Sequence, residues 1–290
     1  MIKLSLDTYL ITCNKICNFL TAIGSFCLSV KQDFYILSKG VIMYSKLKSA
    51  FIELSEQGRL LEKEVNITAK QLSPREAIGE TLRKDFPLLH GKESLMQADF
   101  KGALGQAFTD MPGNFNGKIK EILDLELSNN GERALFIATL NAVMRYMNRV
   151  DKTIHCKNEA PELCANEIVK NIINKYGSDI TLGIIGFQPA IIDNFSKNLL
   201  PENIRVTDLD NDNIGKEKYG VIVWDGRKME KEIFKTCDVL LATGSTIVNN
   251  TLEQLTVNAE KYKKPLYFYG TTVAGPAAVL NLERLCFQAS

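Results

Sequence analysis

From residue 180 onward the chain repeats one pattern, a short and largely apolar run followed by a helical stretch. The runs fall at 180–186, 204–208, 220–224, 238–243 and 265–269. Strands that stay apolar throughout must be covered on both faces, and intervening helices supply the connections that a parallel sheet requires. The fold class expected is therefore α/β, with a Rossmann-like parallel-sheet lobe at the C-terminal end.

Upstream the pattern changes. Residues 43–59 read as an amphipathic helix, 64–70 alternate like a half-buried strand, and 92–109 read as a hairpin or meander around Lys101-Gly102. Phe136, Leu140, Val143 and Met147 recur at helical spacing and predict a helix over 132–149. Another helix is expected from Pro161 to Gly177, with proline at its start and glycine at its end. This gives a smaller α+β lobe over 43–155 and a sheet lobe over 156–290 that includes the bridging helix. Residues 1–42 fit neither lobe. Residues 39–42 can be encoded by a purine-rich run like a bacterial ribosome-binding site, so this stretch is expected to be a leader outside the working protein, with Met43 as the true start.

Lys plus Arg, at 35, nearly balances Asp plus Glu, at 34, for a formal charge of +1. That leaves no electrostatic footprint for nucleic acid or an anionic membrane, and neither is expected as a partner. Residues 16–30 are uncharged but too short to span a bilayer. Seven cysteines at irregular spacing do not make a disulfide framework and suit a reducing cytoplasm. The expected partner is a small molecule or metal ligand, with homo-oligomerisation left open.

The run at 238–243 leads straight into Gly244-Ser245-Thr246, where a helix is expected to begin at once, with Val248, Leu252, Leu255, Ala259 and Tyr262 on one face. Such a turn offers backbone N–H groups beside two hydroxyls, a site for an anionic group. Alternatively Ser245 or Thr246 is only a helix cap. Open parallel sheets bind ligands beyond the carboxyl ends of their strands. Gly186, Gly244 and Gly270, each just past a strand, should thus share one edge and border a pocket near Asn141 or Gln106. Asn249 and Thr271 belong to the same loops. Phe187 and Pro189 replace the permissive residues of a dinucleotide fingerprint and would instead form an apolar wall. Asp208 and Asp225 could hold a cationic part of a ligand or a metal, although Asp225-Gly226 also reads as a turn. Asn141, inside an apolar helix, is either a ligand contact or a buried amide bonded to neighbouring backbone. His155, Cys156 and Cys164 could share a soft metal ion, the other reading being structural cysteines that pack as small hydrophobes.

Several of these segments resemble one family. They are Gly186-Phe187-Gln188-Pro189, the run from Gly244 to Thr251, and upstream Glu76 to Gly79, Asp85 to Glu93, Gly105 to Asp110, Ala138 to Ala142 and His155-Cys156. Together they resemble the putative heavy-metal chelation family of prokaryotic proteins, from about residue 43 to the end. The resemblance implies an enolase-N-terminal-like lobe joined to a Rossmann-like lobe, a site in the cleft between them and a role in heavy-metal chelation. The chain departs from the family at Phe187, where tyrosine is common, and at 271–275, which replace a more proline-rich loop. The function expected is binding, with or without chemistry, of a small anionic or metal-chelating ligand, the cofactor being a transition-metal ion or metal chelate. The rival readings are an enzyme with a nucleotide-type cofactor, such as an S-adenosylmethionine-dependent methyltransferase, and a non-catalytic scaffold.

Overall fold

The structure is a computed structural model that describes residues 43–68, 74–90 and 93–290. The expected leader over 1–42 lies outside the described residues. Helix α1 covers 43–57. Strand β1 (Glu64–Thr68), helix α2 (Pro74–Ile78), strands β2 (Ser94–Phe100), β3 (Ala103–Thr109) and β4 (Phe115–Lys118), and helices α3 (Ile119–Leu123) and α4 (Asn130–Tyr146) follow. The four strands form an antiparallel sheet in the order β3-β2-β1-β4.

The β2–β3 hairpin closes through Lys101 at φ 53° and Gly102 at φ 84°. Two successive left-handed residues give the turn whose twist matches that of the strands, and Gly102 bears this without a side-chain clash. Asp99 secures it by accepting from Gly102 N at 2.7 Å. Helix α4 packs on this sheet. Its N-cap Asn129 accepts from Glu132 N, and Glu132 reaches back to Ser128 N at 2.8 Å, so the first-turn donors are satisfied from both sides. Phe136, Ile137, Leu140 and Val143 are all fully buried. At Gly105 the strand runs so close that a β-carbon would lie 2.2 Å from Ala142 N.

Helix α5 (Ala160–Tyr176) begins with Pro161 in its first turn and stops at Gly177, φ 84°. Beyond it come β5 (Leu182–Ile185), α6 (Pro189–Ser196), β6 (Ile204–Asp208), β7 (Glu217–Lys218), β8 (Val221–Asp225), α7 (Gly226–Thr236), β9 (Val239–Thr243), α8 (Leu252–Tyr262), β10 (Leu266–Tyr269), α9 (Ala274–Leu280) and β11 (Arg284–Leu285). Their order in the sheet is β11-β10-β9-β5-β6-β8-β7. Every pairing is parallel except β7 with β8. The chain thus winds outward from β5 through β6 to β8, returns to the other side of β5 as β9, and winds outward again. The mixed α/β class is as expected. Leu182, Ile184, Leu240 and Leu241 are fully buried, which is why β5 and β9 read as unbroken apolar runs.

Two local features differ from the sequence reading. Asp225-Gly226 is not a free turn, because the Asp225 carboxylate accepts from Arg227 N at 3.0 Å and caps α7. Nor does the helix after β9 start at Gly244. Residues Gly244–Thr246 make one 3-10 turn, Thr246 Oγ1 donates back to Thr243 O at 2.8 Å, and Asn250 adopts φ 58° before α8 opens at Leu252. A left-handed residue cannot continue a right-handed helix, so the two segments stay separate. Among the described residues no helix is long and apolar enough to cross a membrane.

Candidate functional site

The return from β8 to β9 leaves a crevice between the carboxyl ends of β5 and β9, where the connections on either side diverge. Gly186, just past β5, has φ 95°, and a β-carbon on it would meet Thr243 Cγ2 at 2.6 Å. Glycine is therefore required twice over, by its backbone angle and by the neighbouring strand end. Tyr269 Oη donates to Gly186 O at 3.1 Å and ties the end of β10 to the same loop. Gln188 caps α6 by accepting from Ile191 N at 2.7 Å. These loops border a cavity of about 780 Å³ whose opposite wall is the end of the β2–β3 hairpin.

Gly186, Phe187, Pro189, Asp208, Gly244, Ser245, Thr246, Asn249, Gly270 and Thr271 all line this cavity. Asn141 and Asp225 do not. The Asn141 amide is consumed behind the wall: Nδ2 donates to Gln106 O, Thr271 O and Thr272 O, and Oδ1 accepts from Gly275 N. Asp225 is occupied by its cap and by ion pairs with Arg227 and Lys228 at 3.7 and 3.6 Å. Thr271 is 1% exposed, and its hydroxyl has no hydrogen-bond partner among the described residues.

Asp212 and Glu230 line the cavity without having been singled out from the sequence, and so do Glu93 and Asp110. For the last two the signal was present in the hairpin register. Ser94 pairs with Thr109, so the residues flanking that pair stand side by side at the open end. Burial first, and then the charges of Asp208, Asp110 and Asp210, push the Glu93 carboxyl up to about 7. Burial also raises Asp208, against hydrogen bonds to that carboxylate from Asn213 Nδ2 and Leu209 N, both at 2.7 Å. Tyr269 is raised by burial and then by Asp208 and Glu93. One wall of the cavity therefore gathers carboxylates, Glu93, Asp208 and Asp210 partly buried and Asp110 exposed beside them, an environment that attracts a cation.

His155, Cys156 and Cys164 line the far side of the same cavity, together with Cys286. His155 N donates to Gln106 Oε1 at 2.6 Å, and the ring meets Phe108 edge-on with centroids 5.2 Å apart. Burial and then the nearby Cys286 push the Cys156 thiol up to about 12. Cys164 is raised by the neighbouring Cys286 thiol and by burial, while Cys286 is lowered by Cys164 and, against burial, by Arg284. Among the described residues no group of three or more His, Cys, Asp or Glu side chains is arranged to hold a metal ion, the trio of His155, Cys156 and Cys164 included. The donors present do not fit a bare ion held by protein alone.

No curated protein matches the chain. Two solved structures, both described as proteins of unknown function from the DUF364 family, are similar to it. One is from Pyrococcus horikoshii, with 18% identity, coverage of 79% of each chain and a TM-score of 0.49. The other is from Desulfitobacterium hafniense DCB-2, with 15% identity, coverage of 66% of this chain and 73% of that one, and a TM-score of 0.41. Residues 172–282, which run from the end of α5 to just past α9, match the model of the DUF364 family, described as "Putative heavy-metal chelation", and over those residues the match agrees with the resemblance read from the sequence.

Proposed function

We propose that the protein binds a small metal chelate in the cavity between the lobe over 43–155 and the lobe over 156–290. The observation that carries this reading is the acidic wall of Glu93, Asp110, Asp208 and Asp210 facing the glycine-bordered loops. The wall favours a positively charged guest, yet it lacks three converging side-chain donors for a naked ion. A chelate meets both conditions, because its own donors fill the metal shell and the complex keeps a cationic part. Phe187 and Pro189 supply an apolar surface for the chelator's carbon skeleton. Ser245, Thr246 and the unpaired Thr271 hydroxyl supply hydrogen bonds to its polar edge.

Thermal-shift and calorimetric titrations test the reading, since a ligand specific to the native state raises its stability. Zinc, copper, nickel and cobalt would be offered as free ions and as their complexes with amino-acid and amino-carboxylate chelators, with S-adenosylmethionine and NAD in parallel. Stabilisation by a chelate, lost in Asp208→Asn, is the expected result. Stabilisation by S-adenosylmethionine or NAD alone, or by none of the compounds, would overturn it.

A further inference from the structure

The segment after β11 forms a strap. Arg284 Nε donates to Gly270 O at 2.9 Å at one end. At the other, Ile154 and Ser290 exchange backbone hydrogen bonds at 2.8 and 3.1 Å. Between them Gln288 Nε2 donates to Glu167 Oε1 at 2.6 Å, which fastens the strap to α5. These ties hold Cys286 over the first turns of α5, where Cys164 sits. Phe287 N donates to Cys164 Sγ at 3.4 Å, which places the backbone next to Cys286 in contact with that sulfur. The charge of Arg284, two residues before Cys286, favours an anionic Cys286 sulfur.

Both cysteines are free and buried, each 8% exposed, yet both line the cavity, which gives a small reagent a route to them. Cys237, also buried, does not line it. Cys156 lines the cavity, but among the described residues its sulfur takes no hydrogen bond from the strap, as Cys164 does from Phe287 N.

We propose that Cys164 and Cys286 are a modification site, closing to a reversible disulfide when a hydroperoxide enters the cavity. The Cys286 sulfur, beside the arginine that steadies an anionic sulfur, attacks the peroxide oxygen. An S–O bond forms, the O–O bond breaks, and the departing oxygen takes a proton and leaves as alcohol, or as water from hydrogen peroxide. The Cys164 sulfur then attacks the sulfenic acid, so that the S–S bond forms, the S–O bond breaks and water departs. In sum, two thiols and one hydroperoxide give a disulfide, an alcohol and a water, the two sulfurs being oxidised and the peroxide reduced. A dithiol reductant reverses the change by exchange. The product fastens the strap covalently to α5 and converts two thiols of the cavity wall into one rigid bridge.

The full chain would be exposed to one equivalent of hydrogen peroxide, its remaining thiols blocked by alkylation, and its peptides mapped by mass spectrometry without reduction. A cross-linked peptide joining Cys164 to Cys286, lost on treatment with dithiothreitol, is the expected result. Cys156→Ser should give the same cross-link. Cys164→Ser should leave Cys286 as a sulfenic acid that dimedone captures, and circular dichroism reports whether that variant is folded. If it is not, the wild-type map decides alone. A bridge from Cys286 to Cys156 instead, or both thiols still alkylatable after peroxide, would overturn the proposal. None of these readouts depends on the ligand, so this inference and the chelate reading fail separately.

Discussion

Asn141 Oδ1 accepts from Gly275 N at 2.7 Å, so a side chain in the middle of α4 closes the first turn of α9. The amide nitrogen of the same residue serves Gln106 O at 3.0 Å and Thr272 O at 3.1 Å. A single fully buried amide thereby joins the hairpin, the helix on it and the loop after β10. Asn141→Asp replaces the donor with a carboxylate that faces backbone carbonyls. Stranding those groups and burying the charge should cost about 3 kcal/mol, a fall in melting temperature of roughly 6–12 °C. Calorimetry checks this, and a change no larger than that of a surface substitution would count against the amide as a clasp.

A second clasp is ionic. Arg83, whose side chain is 13% exposed, meets Asp193 at 2.5 Å and Asp85 at 3.7 Å, and bonds to Glu162 and to Tyr219 Oη. The loop before β2 is thus pinned to α5, α6 and the β7–β8 turn. Arg83→Met keeps the length of the side chain but leaves the half-buried Asp193 without its cation beside the more exposed Asp85 and Glu162, which should cost about 1–2 kcal/mol once solvent screening is counted. Burial alone would raise the Asp193 carboxyl, but its bonds to Arg83 and Lys197 prevail and hold it below the usual carboxylate value. Its contribution is therefore full above the unfolded carboxylate pKa and fades as pH falls through the lower folded value. Denaturant titrations of wild type and Arg83→Met at neutral pH and in acid should converge as the pH drops. A gap that stays constant would show that the pairing carries no charge effect.

Much of the fold was legible because burial on both faces erases polar alternation in β5, β9 and β10, while β6, interrupted by Arg205, and β8, with Ile222 exposed, were legible from their place between helices. Strands β7 and β11 have two residues each, too few for any periodicity. The loops carrying Gly186, Gly244 and Gly270 were found because strand ends in a parallel sheet fall on one edge. Glu93 and Asp110 were passed over because their proximity is a property of strand register, which emerges only when the hairpin is closed and paired. Cys286 was passed over for a similar reason, since its neighbour Cys164 lies on a helix far back in the sequence. The start of α8 was misjudged because Val248 fits the helical rhythm, whereas the left-handed Asn250 that breaks it has no apolar signature.

The acidic wall should make stability fall as pH rises. In the unfolded chain Glu93 loses its proton near the ordinary glutamate value of 4.5, whereas in the folded protein burial, and then Asp208, Asp110 and Asp210, hold the proton on to about 7. Between those values the native state binds more protons than the unfolded one, so stability declines with rising pH across the window and levels off above it. Glu93→Gln removes the titrating group while keeping the shape, and its stability relative to wild type should climb from pH 4.5 to 7 and then hold. A cationic guest favours the ionised carboxylate. Binding should therefore tighten over the same pH interval in wild type, release protons, and lose most of that dependence in Glu93→Gln. Melting curves at closely spaced pH values, with calorimetry of chelate binding in buffers of different ionisation enthalpy, measure both effects. Parallel melting curves for the two proteins would place the Glu93 titration outside this window and remove the acidic wall as the source of cation selectivity.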